Sequence, residues 1–136
     1  MRASIEEYNK VEAVVRKYAE CVHDGKTEEL KKIVFRPETV CYGYLNGEFI
    51  AKPVQALFDS IDKLGSDPKF ISRVEVLYLE GTVAIARVQE ENWFGNNFTD
   101  FMSLIKFGDE CKIVAKVFNN FNNINSINFP INLKFS

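Results

Sequence analysis

One histidine, one tryptophan, two methionines and three cysteines are all that the sequence carries of these types, and no long apolar run occurs. Each shortage closes a class of function. With His23 alone, no multi-histidine metal centre can assemble and no Ser-His-Asp spacing can be argued. Its place beside Asp24 at a helix end suits a favourable interaction with the helix dipole. Cys21, Cys41 and Cys111 are odd in number and far apart, which fits neither a disulfide framework nor a zinc site. They read as small apolar fillers in a reducing compartment. No stretch approaches the roughly 18–20 apolar residues that cross a bilayer. The opening residues have no apolar segment of the signal-peptide kind. A cytoplasmic protein without membrane partners is expected.

Basic residues are not in excess either: 17 Lys and Arg stand against 19 Asp and Glu, a net charge of −2. Without a basic stripe there are no counterions to displace from a nucleic acid, so that partner is excluded. A glycine-rich phosphate loop is also missing, since Gly65-Ser66-Asp67 and Gly108-Asp109 read as turns. No metal and no cofactor are expected.

What is present suits one domain of 136 residues, 46% hydrophobic, long enough to bury a sizeable core. The stretch from Lys69 to Phe121 organises it. Turn signals at Glu80-Gly81, Gly95-Asn96-Asn97 and Gly108-Asp109 divide runs of Val, Ile, Phe, Tyr and Thr. Strands are expected at about 69–79, 82–94, 98–107 and 111–121, paired as an antiparallel meander. The second is long enough to need a bend or bulge.

The first half must cover one face of that sheet. Ser4-Ile5-Glu6-Glu7 is a capping box, and Tyr8, Val11, Val15, Tyr18 and Val22 follow on one helical stripe. Asp24-Gly25 ends that helix. Thr27 is placed as the cap of a short second helix with Leu30, Ile33 and Val34 on its apolar face, stopped by Pro37. From Thr39 to Leu45 the pattern alternates, with Val40, Tyr42 and Tyr44 on one side and Cys41, Gly43 and Leu45 on the other. Asn46-Gly47 is a hairpin turn and Glu48–Ala51 its returning strand. Pro53 is expected to open a third helix, with Val54, Leu57, Phe58, Ile61 and Leu64 inward and Gly65 at its end. The fold class is α+β, with three N-terminal helices on one face of a bent antiparallel sheet.

Beyond the meander, Asn recurs from Asn119 to Asn132 among Phe121, Ile124, Ile127, Phe129 and Ile131. Residues 1–121 are read as the domain. Residues 122–136 are read as an extension packing on it or on a dimer partner.

Three stretches, in this element order, resemble the nuclear-transport-factor-2-like (NTF2-like) superfamily, of cystatin-like fold. They are nearest its SnoaL-like and lumazine-binding branch. The stretches are Arg16–Gly25, Phe35–Val40, and Phe98–Leu104 followed by Lys112–Phe118. The resemblance implies a cone with a pocket at its open end, dimers through the outer sheet face, and enzymes such as ketosteroid isomerase and polyketide cyclases among its members. Two residues depart from the pattern: Arg36 stands where a His is usual, and Cys111 where a Trp is usual. Of the isomerase roles the resemblance implies, Tyr18 matches the oxyanion tyrosine. The base position falls near Tyr42, with Glu38 the nearest acid. The second acid position falls at Ser103, with Asp100 the candidate. Steroid-type proton transfer is therefore not favoured.

Asp100 and Lys116 are read as the two charges inside otherwise apolar strands. They are expected to project inward, Asp100 with Met102 and Leu104, and Lys116 with Val114 and Phe118. They serve either as each other's partner or as a ligand anchor. With Tyr18, Tyr42, Tyr44, Phe58, Trp93 and Phe118 they form the candidate ligand site, suited to a small planar or partly apolar molecule. Trp93 and Ile85 also recur on the second face of their strand among Arg87 and Gln89, which suggests a homodimer through that face. The leading expectation is a dimeric small-molecule binder with no assignable reaction. An isomerase, cyclase or dehydratase using Asp100 and Tyr18, and a protein-interaction module, are the alternatives.

Overall fold

The computed structural model describes residues 2–121. The Asn-rich 122–136 stretch, expected to pack on the domain or a partner, lies outside them. Helix α1 spans Ile5–Asp24 and begins as its capping box requires: Ser4 Oγ accepts from the Glu7 N–H, and the Glu7 carboxylate accepts from the Ser4 N–H. Val11, Val15, Tyr18 and Val22 are buried along its stripe, whereas Tyr8 at the first turn stays exposed. Gly25 ends it in the left-handed region, at φ 69°. No helix among the described residues is long and apolar enough to cross a membrane.

The expected second helix is reduced to a single π-helical turn, Leu30–Val34, closed by the Phe35 N–H on the Leu30 carbonyl. Leu30 and Val34 both reach the core from this wider turn. Thr27 does not cap it with its side chain; the hydroxyl donates instead to Asp62 Oδ1 at 2.7 Å. Pro37 stops nothing either, because strand β1 (Phe35–Leu45) has already begun and runs through it. β2 (Glu48–Pro53) returns from the Asn46-Gly47 turn. Pro53 is thus the last residue of β2, paired with Val40, and not the first of a helix. An edge strand tolerates a residue with no N–H to donate. Helix α2 follows at Gln55–Leu64, with Phe58 and Ile61 buried.

β3 (Ile71–Glu80), β4 (Val83–Trp93), β5 (Asn96–Phe107) and β6 (Glu110–Phe121) pair antiparallel in succession. The sheet does not stop there. Its six strands run β2-β1-β6-β5-β4-β3, and β1 lies parallel to β6. The sheet is therefore mixed, not antiparallel. The chain leaves the β1–β2 hairpin through α2, builds the meander from the far edge, and returns with β6 in the direction of β1. One layer of helices covers the inner face, where Ala84, Ala86, Val88, Met102, Leu104 and Ile113 meet the α1 stripe.

Two irregularities decide which side chains face inward. Between β5 and β6 the register shifts, Ser103 pairing Ala115 and Leu104 pairing Ile113, so that Val114 is the extra residue. Ile113 and Lys116 consequently both point inward, although strict alternation would set them on opposite faces. Between β4 and β5 the register shifts again after Glu90, and Asn92 adopts φ 63°.

Candidate functional site

The open end of the cone holds a cavity of about 350 Å³. Val22 of α1, Leu57 of α2, Leu45 of β1 and Ile50 of β2 supply apolar walls, with Phe98 and Phe118 opposite. Against this lining stand a few polar side chains: Tyr18, Glu90 and Lys116, with Lys52, Asn46, Ser60 and Asn96 nearby. Such a mixture suits a small molecule with a flat apolar body and few polar atoms.

A row of charged groups crosses the inner face on adjacent strands. Asp100 lies opposite Val88 and Phe118, which sets it diagonally from Glu90 on β4 and from Lys116 on β6. Lys116 in turn pairs across the parallel seam with Cys41. All four are buried. The Tyr18 hydroxyl donates to Asp100 Oδ2 at 2.9 Å. Burial, and then the Asp100 charge, push the Tyr18 phenol well above its ordinary value, so it is a neutral donor.

Glu90 is the residue that changes the picture. Its Oε2 and the Asp100 Oδ1 are both buried without a hydrogen-bond partner. Burial, and then the nearby Asp100 charge, raise the Glu90 pKa well above the ordinary carboxyl value. Glu90 is therefore held in its neutral, protonated form. Burial works against the Lys116 ammonium, but Asp100, Cys41 and Glu90 outweigh it and its pKa is raised. Among the described residues no carboxylate comes within 4.0 Å of Lys116 Nζ. Of the two alternatives for Asp100 and Lys116, the direct ion pair is therefore not made. Nζ instead lies 5.0 Å from the Phe118 ring centroid and 5.9 Å from that of Tyr18.

Of the residues expected around the pocket, Tyr18, Trp93, Lys116 and Phe118 line it, and Asp100 lies immediately behind. Tyr42 and Tyr44 do not. They project from the outer face, 44% and 54% exposed, because the inward side of β1 is the one with Cys41, Gly43 and Leu45. Phe58 is in the core, edge-on to Phe35 at 5.7 Å, and its neighbour Leu57 faces the cavity. Arg36 is away from the rim, over the Phe107 ring and paired with Glu38. Ser103 is only half-buried, whereas Asp100 is fully buried on the inner face. Glu90 was legible in principle: Ala84, Ala86 and Val88 alternate inward, and the next position on that face is 90. Trp93, expected at the site, does not follow from this alternation: it stands three positions beyond Glu90, and the left-handed Asn92 brings it to the same face.

Tyr18→Phe should cost about 1.5–3 kcal/mol in urea unfolding, the value of a hydrogen bond to a charged group. A loss under half of that lower figure would mean Asp100 finds another donor at once.

With this geometry in hand, comparison with known proteins places the chain. Residues 6–119 match the family model described as "Putative lumazine-binding". The chain belongs to that family, within the NTF2-like superfamily. A curated protein from a Cladobotryum species, named aldolase FrzH, is 30% identical over 116 residues, covering 85% of this chain and 92% of that protein. Among solved structures, an NTF2-like protein of unknown function from Methylobacillus flagellatus is 28% identical, with a TM-score of 0.82 over 88% of this chain and 96% of that one. Another from Shewanella baltica, 24% identical, superposes at a TM-score of 0.81 over 90% of this chain and 100% of that one, a likeness of fold.

Proposed function

We propose that this family member binds a small, flat, partly apolar carbonyl compound and moves a proton on it, as an isomerase or an aldol-type enzyme does. The observation that carries the reading is Glu90, a buried carboxyl on the cavity wall, diagonal to buried Asp100 on the next strand and held well above the ordinary carboxyl pKa by burial. A plain binding pocket needs no such pair. A carboxyl pair with one proton can accept a second from the carbon beside a carbonyl and give it back. Glu90 passes its own proton to Asp100 and takes the α-proton, and the substrate's C–H electron pair becomes an enolate. Reprotonation at a different carbon completes an isomerisation. Attack of the enolate on a second carbonyl forms a C–C bond, with the proton returned to the new alkoxide. Tyr18, through its bond to Asp100, positions the pair. The relative named an aldolase supports a reaction of this kind.

The test is α-hydrogen exchange of cyclic and aryl ketones in deuterated water, followed by NMR. Glu90→Gln should slow protein-dependent exchange by about 10²–10⁴-fold. Equal rates for wild type and variant would leave a binder without this chemistry.

A homodimer through the outer sheet face accompanies this reading. Tyr42, Val117 and Phe101 are direct cross-strand neighbours on β1, β6 and β5, and all three are exposed. Next to them Arg87 and Glu75 pair on β4 and β3, so the apolar patch is bounded by charge. Val117→Lys should turn the light-scattering mass from dimer to monomer; a wild-type monomer at micromolar concentration would count against the interface. A reducing cytoplasmic setting suits the three separate thiols.

A further inference from the structure

The cavity's polar groups, taken together, are short of acceptors. Tyr18 spends its hydroxyl on Asp100. Glu90, buried diagonally from the same carboxylate, is held neutral by burial. Trp93, on the wall, has its indole N–H buried and unpartnered. Lys116 is 7% exposed, and what surface it keeps adjoins the cavity. Its ammonium carries three donors, and no hydrogen bond or ion pair to a protein group engages them among the described residues. The rings of Tyr18 and Phe118 stabilise the positive charge by their faces but accept no strong hydrogen bond. A buried ammonium in this state calls for an oxygen from a ligand.

We infer that Lys116 is the anchor for a ligand oxyanion, so that the molecule bound here presents an enolate or phenolate oxygen conjugated to a flat ring. The flat body follows from the walls: Phe98, Phe118 and Trp93 form a run of aromatic contacts at 6.1 Å between successive centroids, with Phe98 in the middle. The conjugated oxyanion follows from the site's charge. Asp100 lies diagonal to Lys116 and disfavours a second, fully localised negative charge, whereas an oxyanion spread over a ring is weaker in that repulsion. The inference rests on the proposed function, because the enolate formed by proton removal is such an oxygen. It assigns Lys116 as a charged donor and not as an amine that forms an imine with the substrate. Glu90, Asp100, Tyr18 and Cys41 are the titratable groups around it.

The probe is 4-nitrophenol, whose phenolate is yellow and whose phenol is not. At a pH where free probe is mostly phenol, wild-type protein should draw it into the yellow form, with Trp93 emission, the chain's single tryptophan, quenched in parallel. Lys116→Met should weaken phenolate binding about ten- to a hundred-fold, and Lys116→Arg should restore most of it in a chain shown by circular dichroism to be folded. Nitrobenzene, without the oxygen, should bind wild type and Lys116→Met alike. Failure of wild type to bind the phenolate, preference for the neutral phenol, or equal phenolate affinity in Lys116→Met overturns the inference. So does reductive trapping of an aldehyde on Lys116 by cyanoborohydride, which would make the side chain a nucleophile. Phenolate binding that survives Glu90→Gln, with ketone exchange absent from wild type, refutes the proton-transfer reading alone.

Discussion

Gly43→Ala should lower the stability of the protein by at least about 3 kcal/mol, the upper range of core overpacking. Gly43 lies on the inward side of β1, directly opposite Phe118 on the parallel neighbour β6. A Cβ there would stand 2.2 Å from the Phe118 carbonyl oxygen and 2.6 Å from its Cγ. The first of these is backbone and cannot turn aside. Relief requires prising β1 from β6, at the one parallel seam of the sheet. The melting temperature should fall by roughly 10–20 °C. The cavity should suffer too, because Phe118 is both its wall and the ring beneath the Lys116 ammonium. A variant within about 1 kcal/mol of wild type by urea titration, the ordinary cost of a point substitution, would show that the seam yields easily.

Asp100→Asn should cost about 3–5 kcal/mol, the loss expected when a buried charge is stripped of its counter-charge. The substitution keeps the shape and leaves an acceptor for Tyr18. It removes the negative charge that holds Lys116 protonated in a buried place. The interaction is long-range in character, since no direct ion pair joins them, so its signature is rescue. Asp100→Asn combined with Lys116→Met should recover a substantial part of the loss. Losses that simply add would show that each side chain matters for packing alone. A pH profile separates Glu90 from this pair. Its folded pKa is raised above the unfolded 4.5, so the folded state binds more protons above that pH. The stability it contributes is therefore present in acid and is lost as pH rises from about 4.5 through the folded value. Glu90→Gln, which cannot ionise, should flatten that decline and gain on wild type as pH increases.

Much of this molecule is written in local pattern. A capping box, a stripe of apolar residues at every third or fourth position, and a glycine free to turn left-handed suffice for α1, because each acts within a few residues. The meander follows for the same reason: turn residues and alternation specify neighbouring strands. They also bring Tyr18 and Asp100 toward each other, since both sit on the inward side of a regular element. Local pattern could not decide how the β1–β2 hairpin meets β6. A parallel pairing between residues about 75 positions apart in sequence, such as Cys41 and Lys116, leaves no trace in either strand, and it alone makes the sheet mixed. Nor could alternation survive the two bulges. One extra residue at Val114 sets Lys116 and Ile113 on one face, and a left-handed Asn92 turns Trp93 toward Glu90. Tyr42 and Tyr44 look like pocket residues until the inward side of β1 is known, and that side is chosen by Gly43, which alone leaves room for Phe118. Glu90 keeps its proton only because tertiary packing removes water from a carboxyl that lies diagonal to Asp100 on the next strand.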